Sequence, residues 1–378
     1  MRIELPISKS IANRLLILQA IHGDELMPVS DSMPDDVRMM SEAIRLLGER
    51  REARIDLGNC GTAMRFLTTY CAQLEGQTTI LDGVERMHHR PIGQLVEALR
   101  EIGADIEYLD EVGFPPLRIK GCILDKHKIV TINNPQSTQF VSALLLIGAN
   151  VQTNSTSPYI TLTREMIEQY SLASSPYRLS PIALERDWSS AAFWYEYVAL
   201  HGGEVTLPGL SRDSLQGDKV VADIFAHLGV HTTYTAEGIT IASTGVADLQ
   251  RSDLQGIDAR TTAQRSAEET ILNSKFLIQN FSACPDLYPA VALTCERLGI
   301  ELHATGVESL PLKESDRLRA VREHRTDADH RMAMALLVAG YEVDDTACIS
   351  KSYPQFLEQF QHALPQGYPI DTPQIAHT

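Results

Sequence analysis

Leu81–Tyr108 reads LDGVERMHHRPIGQLVEALREIGADIEY, and Leu207–Tyr234 reads LPGLSRDSLQGDKVVADIFAHLGVHTTY. A Leu, a Gly, an Arg, a later Gly and a final Tyr fall at the same spacing in both segments. Each segment has the pattern of a strand end, a turn, an amphipathic helix ended by glycine, and a second strand. The recurrence predicts an α/β fold assembled from copies of one module.

The helix of each copy is predicted from its apolar face. This face comprises Ile92, Leu95, Val96 and Leu99 in the first copy and Val220, Val221, Ile224 and Leu228 in the second. Pro91 is suited to the first helical position of the first copy. A truncated third copy starts at residues 304–307 and continues into a helix around 316–321, and a weaker fourth candidate covers 35–48. The chain contains no dinucleotide-binding, P-loop or common hydrolase motif, so those functions have no support.

Length and composition indicate a globular protein of two domains. The chain has 378 residues, of which 44% are hydrophobic, and a net charge of −16. Such a charge argues against nucleic acid and anionic membranes as partners. The longest apolar run, 332–339, is too short to span a bilayer, and no signal or transit peptide is visible, so we expect a cytoplasmic protein. The six cysteines form no metal-site pattern and are interpreted as small core residues.

Two motifs near the N-terminus have the composition of anion sites. Residues 5–10 (LPISKS) open a helix at which Ser8 or Ser10 can act as N-cap, and Lys9 adds a positive charge. Residues 57–65 (LGNCGTAMR) combine glycines that permit close backbone approach with Arg65, and Thr62 can cap the helix that follows. An ordinary capped helix and a plain turn are the alternative interpretations of these two segments taken alone.

Further motifs gather hydrogen-bonding and cationic side chains. Residues 134–140 (NPQSTQF) offer neutral donors and acceptors, and residues 312–319, 329–334 and 350–354 are rich in charge. A surface helix with ion pairs or a cluster of N-caps would look similar. The motifs nevertheless contribute many cations to a protein of charge −16, which predicts a polyanionic ligand: Lys9, Arg14, Arg65, Arg90, Lys313, Arg317, Arg331 and Lys351.

Taken together, these motifs resemble those of the 5-enolpyruvylshikimate-3-phosphate synthase family. The matching set, in the family's order from residue 6 to residue 354, is P-x-S-K-S-x-x-N-R, L-G-N-x-G-T-A-M-R, R-P-I-G-x-L, S-x-Q-F, D-x-S-S-A, L-K-E-S-D-R, D-H-R-M-A-M and S-K-S-Y-P. The resemblance implies two similar α/β domains, each built of three βαβαββ-type repeats, with the active site in the cleft between them. One domain would be 9–186, and the other would combine 1–8 with 187–378.

The resemblance also implies the reaction and the residues that carry it. The enzyme would transfer the enolpyruvyl group of phosphoenolpyruvate to the 5-hydroxyl of shikimate 3-phosphate, and phosphate would be released. Catalysis would use Lys9, Asp286 and Glu314, although which group performs which proton transfer stays open. Shikimate 3-phosphate would be bound by Lys9, Ser10, Arg14, Ser137, Thr138, Gln139, Thr156, Tyr159, Asp286 and Lys313. Phosphoenolpyruvate would be bound by Lys9, Gly61, Arg65, Arg90, Gln139, Arg317, Arg331 and Lys351.

The resemblance implies no cofactor and no metal, and we expect a monomer. The sequence departs from the family's pattern at Ile7, where Gly is common, at Phe66, where Pro is common, and at Thr138, where Ser is common. The stretches 319–330 and 48–56 are short, and the first leaves little room for the strand pair expected there.

Two other functions remain open at this point. The sister enzyme that transfers enolpyruvate to UDP-N-acetylglucosamine shares the fold and typically uses a loop cysteine, for which Cys60 is the candidate here. A catalytically silent binding module of the same fold would belong to a different class. The presence of Lys9, Asp286 and Glu314 argues against that second alternative.

Overall fold

The computed structural model describes residues 1–172, 185–244 and 276–364. These residues form α-helices packed on several small β-sheets, so the predicted α/β class is confirmed. The helices are α1 (Lys9–His22), α2 (Asp35–Glu49), α3 (Gly61–Ala72), α4 (Glu85–His88), α5 (Gly93–Glu101), α6 (Thr138–Leu146), α7 (Pro158–Leu172), α8 (Trp188–His201), α9 (Val221–Ala226), α10 (Tyr288–Leu298), α11 (Arg317–Glu323), α12 (His330–Val338) and α13 (Phe356–Ala363). Four 3₁₀ helices cover Gly217–Val220, Pro285–Leu287, Leu310–Leu312 and Ala347–Lys351. Within the described ranges, no helix is long and apolar enough to cross a membrane.

In the described part of the chain, the strands are short and distributed over four sheets. They are β1 (Glu52–Asp56), β2 (Thr78–Asp82), β3 (Asp105–Tyr108), β4 (Leu117–Lys120), β5 (Ile129–Thr131), β6 (Asn150–Gln152), β7 (Glu204–Pro208), β8 (Val230–Tyr234), β9 (Gly238–Ser243), β10 (Phe276–Asn280) and β11 (Glu301–Thr305). The largest sheet has the order β1-β2-β4-β3, in which β1 and β2 are parallel and the other neighbours are antiparallel. With α3 and α5 as connections, residues 52–120 form one complete βαβαββ unit.

The sequence repeat corresponds to the same sheet topology in both places. Strands β2, β4 and β3 have the same order and directions as β7, β9 and β8. In the first copy, the repeated Leu81 and Tyr108 both pair with Leu117 of the central strand. Their counterparts in the second copy, at 207 and 234, both pair with Ile239. The predicted internal repeat is therefore confirmed at the level of strand register.

The predicted helix boundaries within the repeats are less accurate. Pro91 is not the first helical residue, because Ile92 has a non-helical φ of −138° and helix α5 begins at Gly93. The amide of Ile92 donates instead to the carbonyl of Gly113, at 2.9 Å, which ties the chain to a neighbouring turn before the helix starts. In the second copy, the predicted face is divided between a 3₁₀ turn and α9, and Leu228 lies beyond the helix end.

The buried apolar side chains form two separate clusters. The first runs from Ile11 to Tyr170, and the second contains Ile3, Leu5 and residues between Trp188 and Phe360. We call residues 9–172 the first half, and residues 1–8, 187–244 and 276–364 the second half. Each half thus has its own hydrophobic core.

The chain passes between the halves at two adjacent segments that pair with each other. Ile7 and Arg186 form an antiparallel bridge, and the amide of Ser8 donates to the carbonyl of Glu185 at 2.8 Å. The side chain of Gln216 holds both segments: its oxygen accepts from the Ser8 hydroxyl at 2.8 Å, and its nitrogen donates to the Arg186 carbonyl at 2.8 Å. This pairing fixes where α1 and α8 begin.

The N-terminal residues lie against the second half without forming a strand. Arg2 forms a single parallel bridge to Thr206 of β7, and the amide of Ile3 donates to the Thr206 carbonyl at 2.9 Å. This placement relative to β7 matches that of β1 relative to β2. Residues 1–4 therefore run beside the second half's sheet, although no ladder forms.

The third repeat copy is truncated, as its sequence predicts. Strands β10 and β11 are parallel and are joined by α10, and Asp316 caps the helix α11 that follows. The chain then reaches α12 through residues 324–329 with no intervening strand. That short connection places His324, Asp327 and Ala328 at positive φ, a region that residues with a side chain seldom occupy.

Candidate active site

A cavity of about 590 Å³ lies where the two halves meet. Of the seventeen residues predicted for the site, fifteen line it: Lys9, Ser10, Arg14, Gly61, Arg65, Arg90, Ser137, Thr138, Gln139, Thr156, Tyr159, Asp286, Lys313, Glu314 and Arg331. Arg317 and Lys351 do not line the cavity and lie behind its wall. Residues separated by more than 300 positions in sequence thus meet around one space.

The start of α1 brings Lys9 into the cavity. Ser8 occupies the N-cap position, but its hydroxyl bonds to Gln216 and makes no capping bond. The Lys9 ammonium lies 2.7 Å from Asp36 on α2. Burial opposes the charge on Lys9, but Asp36 outweighs it, and the pKa of Lys9 is raised. Lys9 is therefore a cation in the cavity before any ligand binds.

Arg14, one turn further along α1, is buried and held by neutral oxygens. Its guanidinium donates to the hydroxyl of Thr163 at 2.8 Å and to the carbonyl of Ser10 at 2.8 Å. Its Cζ lies 5.3 Å from the ring centre of Phe66 and 6.0 Å from that of Tyr159. Burial lowers the pKa of Arg14 to about 10, which leaves the side chain charged at neutral pH. The described residues offer this cation no carboxylate within ion-pair distance.

Gly61, at the start of α3, allows two arginines to approach each other closely. A Cβ at this position would lie 2.4 Å from Nη1 of Arg65 and 2.5 Å from Nη2 of Arg90, so a side chain cannot fit unless both move. The helix is capped by Cys60, whose sulfur accepts from the Ala63 amide at 3.5 Å. The prediction that Thr62 caps α3 is wrong, because the helix begins at Gly61 and Thr62 already lies in its first turn.

Within the described chain, Arg65 has no carboxylate at ion-pair distance, and Arg90 has only one long ion pair. Arg65 donates to the side-chain oxygen of Gln139 at 2.8 Å, and Arg90 donates to the carbonyl of Asn59 at 2.9 Å. Burial and then the neighbouring Arg90 lower the pKa of Arg65 to about 9. The nearest carboxylate to Arg90 is Glu314, at 3.9 Å. Two adjacent cations at a helix N-terminus form a site for an anion such as a phosphate or carboxylate.

Neutral groups from the first half complete this side of the cavity. Ser137 caps α6 by accepting from the Gln139 amide at 3.3 Å, and the Gln139 side-chain nitrogen donates to the Thr62 hydroxyl at 2.8 Å. Thr156 lines the cavity just before α7, and Tyr159 lies in the first turn of that helix. Burial raises the pKa of Tyr159 well above its usual range, so its hydroxyl remains a hydrogen-bond donor.

Asp286 presents a carboxylate from the second half. Its oxygens lie 2.7 Å from Arg317, 3.0 Å from Arg331 and 3.4 Å from Lys313. Burial alone would favour the protonated acid, but Arg331, Lys313 and Arg317 together hold the pKa of Asp286 well below its usual range. Asp286 is therefore ionised, and a hydrogen bond from a substrate hydroxyl would be charge-assisted.

Glu314 is held in a similar way on the adjacent wall. Lys351 lies 3.1 Å from its Oε1, and Arg317 lies 3.2 Å from its Oε2. Burial opposes ionisation, but Lys351, Arg90 and Arg317 keep the pKa of Glu314 well below its usual range. Arg317 and Lys351 thus act on the cavity through the carboxylates they hold.

Several cavity residues were missed by the sequence reasoning. Asp36 pairs with Lys9, Thr62 accepts from Gln139, and His330 lines the cavity beside Arg331. All three lie in segments quoted above, where Thr62 was predicted only to cap a helix and Asp36 and His330 had no predicted role. Burial and the nearby cations, Lys9 first, hold the pKa of His330 well below its usual range, so the imidazole is neutral.

Comparison with known proteins agrees with the motifs. The profile of the family described as EPSP synthase (3-phosphoshikimate 1-carboxyvinyltransferase) matches residues 1–324 and 321–360. A 3-phosphoshikimate 1-carboxyvinyltransferase of Bacteroides fragilis is 35% identical, covering 96% of this chain and 94% of the relative. The enzyme of the same name from Laribacter hongkongensis is 32% identical, covering 95% of each chain. The chain belongs to the EPSP synthase family.

The solved structures of EPSP synthase from Acinetobacter baumannii share the fold. One has a TM-score of 0.61 at 20% identity, covering 96% of this chain and 95% of the other. The family profile matches in two pieces that meet at residues 321–324. This junction falls where the present structure connects α11 directly to α12 without a strand pair. One departure from the family profile therefore falls in a connection that does not line the cavity.

Proposed function

We propose that the chain transfers the enolpyruvyl group of phosphoenolpyruvate to the 5-hydroxyl of shikimate 3-phosphate, giving 5-enolpyruvylshikimate 3-phosphate and phosphate. One observation carries the proposal beyond family membership. Arg65, which has no carboxylate at ion-pair distance within the described chain, and Arg90, whose nearest carboxylate is 3.9 Å away, lie beside the ionised Glu314. This arrangement combines an anion site with an acid–base group at one end of the cavity.

The cavity suggests how the two substrates divide it. The end formed by Gly61, Arg65 and Arg90, together with Lys9, suits the phosphate and carboxylate of phosphoenolpyruvate, because guanidinium groups bind both bidentately. Gln139 donates and accepts there, and Arg331, Arg317 and Lys351 support this end from the second half.

The other end suits shikimate 3-phosphate, which carries both hydroxyls and anionic groups. Arg14 would oppose a negative group, and the hydroxyls of Ser10, Ser137, Thr138, Thr156 and Tyr159 would bond to oxygens. Asp286 and Lys313 would contact the substrate from the second half. The Asp286 carboxylate could accept a hydrogen bond from a ring hydroxyl while its own charge stays balanced by Arg331.

The reaction requires proton movements in two steps. In the addition step, the 5-hydroxyl loses a proton as its oxygen attacks C2 of phosphoenolpyruvate, and the methylene carbon gains one. The tetrahedral intermediate then loses a methyl proton and expels phosphate. Lys9, Asp286 and Glu314 are the candidate acids and bases, with Lys9 or Glu314 serving the methylene carbon. No cofactor or metal takes part in this scheme.

We also propose that residues 9–186 form one domain and that 1–8 with 187–378 form the other. The separate apolar clusters support this division, and the paired segments at Ile7 and Arg186 are the proposed crossings. Residues 173–184, 245–275 and 365–378 lie outside the described part of the chain. Because one chain supplies both walls of the cavity, a monomer would suffice. A cytoplasmic location would match its phosphorylated substrates.

Transfer to UDP-N-acetylglucosamine is a weaker proposal. Cys60, the candidate for that chemistry, is buried, and burial followed by the negative charge of Asp36 raises the pKa of its thiol to about 12. Such a thiol is protonated at neutral pH and is a poor nucleophile. A silent binding module is also disfavoured, because Lys9, Asp286 and Glu314 all reach the cavity.

The decisive experiment is a phosphate-release assay with phosphoenolpyruvate and each acceptor. We expect release with shikimate 3-phosphate and only background release with UDP-N-acetylglucosamine. Mass spectrometry should find a product heavier than shikimate 3-phosphate by one enolpyruvyl group. Release with the nucleotide sugar alone would reverse the order of the two functions, and binding of both substrates without release would favour the silent module.

A further inference from the structure

Arg86, on α4 of the first half, makes three hydrogen bonds to the second half although it does not line the cavity. Its Nε donates to the carbonyl of Glu314 at 3.1 Å. Its Nη2 donates to the carbonyls of Pro311 and Lys313, both at 2.9 Å. Within the described residues, no carboxylate lies at ion-pair distance from this guanidinium. The hydrogen bonds of Arg86 therefore all go to backbone carbonyls of one segment, residues 311–314, which we call loop 311–314.

The sequence repeat shows that the fold of the module does not require this contact. Arg212 occupies the matching position of the second copy. There the side chain is exposed, and its Cζ lies 4.6 Å from the ring centre of Tyr234 in the same unit. In the first copy the equivalent ring, Tyr108, is covered by Arg100 at 5.1 Å, which leaves Arg86 free to reach the other half. The arginine at this repeat position thus makes a different contact in each copy.

The loop that Arg86 holds carries two residues of the proposed site. Its carbonyls are directed to Arg86, whereas the side chains of Lys313 and Glu314 line the cavity. Arg90 follows Arg86 by four residues and lies 3.9 Å from the Glu314 carboxylate. Segment 86–90 therefore holds Glu314 at two points, through its backbone and through its carboxylate.

We propose that Arg86 is a positioning residue that locks loop 311–314 of the second half against the first half and so sets the Glu314 carboxylate beside the anion site. The proposal rests on the function proposed above. Arg86 does not line the cavity, so its effect is exerted through the loop. A planar fork of donors suits this task because it can satisfy several fixed carbonyls at once, whereas a lysine ammonium lacks that geometry.

The proposal predicts a change in turnover with little change in acceptor binding. In Arg86→Ala, kcat should fall by roughly 10- to 10²-fold, because small displacements of a reacting group are strongly felt. The dissociation constant of shikimate 3-phosphate should stay within about threefold. Most of the residues proposed to bind it lie in the first half, and their contacts do not depend on the position of loop 311–314. Arg86→Lys should recover part of kcat, and Arg212→Ala, the matched control, should behave as wild type.

Hydrogen exchange of the ligand-free protein separates this proposal from the proposed function. Amides of 310–316 should exchange faster in Arg86→Ala than in wild type or Arg212→Ala, with an unchanged unfolding midpoint. If exchange accelerates but the wild-type protein releases no phosphate, the proposed function fails and the loop contact stands. If exchange and kcat both match the control, or if the whole protein loses stability, Arg86 is not a positioning residue.

Discussion

The first half and the second half hold the charges of the cavity in opposite ways. In the first half, Arg14 and Arg65 are buried against neutral oxygens and aromatic rings, with no carboxylate at ion-pair distance within the described chain. In the second half, Asp286 and Glu314 are each surrounded by several cations. At Arg14 and Arg65 the first half thus leaves positive charge for a ligand to neutralise, whereas Asp286 and Glu314 are balanced mainly by cations of their own half.

This difference matches the two tasks of the proposed reaction. An anion binds best to cations that no carboxylate already neutralises, because no internal ion pair must be broken. A carboxylate that must remain ionised in a buried site needs permanent cations beside it, since desolvation would otherwise raise its pKa. The second half provides these cations through Arg317, which is fully buried and contacts Asp286, Glu314 and Asp329.

The largest expected effect is a difference in the free energy of unfolding between a variant at Arg317 and a variant at Arg65. Arg317→Met should lower the free energy of unfolding by about 3–5 kcal/mol, because it leaves buried carboxylates without their shared partner. Arg65→Met should lower it by only about 1–3 kcal/mol, since the main loss is a hydrogen bond to Gln139. Urea unfolding of both variants measures the difference. Equal destabilisation would mean that the two halves do not differ in this way.

The next effect concerns turnover. Lys9→Ala and Glu314→Ala should each lower kcat by roughly 10²-fold or more, the usual scale for a positioned acid or base. Glu314→Gln should keep most of the shikimate 3-phosphate affinity, because it preserves shape while removing charge. Glu323→Gln, which alters a surface carboxylate paired with Arg319, is the control. Near wild-type kcat in both alanine variants would show that the acid–base assignment is wrong.

Glu196 on α8 also tests this rule, because it is a second-half carboxylate with no hydrogen-bond or ion-pair partner among the described residues. It is fully buried, both oxygens lack a hydrogen bond within the described chain, and burial raises its pKa well above the usual range. The folded protein therefore keeps a proton that the unfolded chain releases above about pH 4.3. Stability should fall as pH rises from that value toward the folded pKa, by up to about 1.4 kcal/mol per pH unit.

Glu196→Gln removes this titration. The stability of the variant relative to wild type should increase steadily between pH 5 and pH 8, as measured by urea unfolding at each pH. A constant difference across that range would mean that Glu196 is ionised in the folded protein, and hence that some unrecognised cation neutralises it.

The smallest effect distinguishes the two buried arginines from each other. Phe66 lies under Arg14, and Phe140 lies under Arg65 with the Arg65 Cζ at 5.5 Å from its ring centre. Loss of one ring removes a cation–π interaction worth about 0.5–1 kcal/mol, so the affinity for the substrate bound by that arginine should fall roughly two- to fivefold. Phe66→Leu should raise the KM for shikimate 3-phosphate, and Phe140→Leu the KM for phosphoenolpyruvate. The reverse pattern would contradict the proposed division of the cavity.

The repeat was predictable because it depends on local spacing. Leu81 and Tyr108 flank one central-strand residue, and the second copy repeats this register, so a periodic sequence feature corresponds to a periodic structural one. Helix starts were less predictable. Pro91 and Thr62 both look suitable for the positions assigned to them, but the actual starts depend on a bond to Gly113 and on capping by Cys60.

The sequence by itself determined the α/β class, the repeated module and most of the residues that meet in the cavity, because spacing and side-chain type are local properties. Only the tertiary structure decided which charges balance one another. Lys9 pairs with Asp36, Glu314 with Lys351, and Arg86 with the carbonyls of a loop more than 200 residues away. Charge interactions depend on distance and burial, and motif spacing fixes neither for groups brought together from opposite ends of the chain.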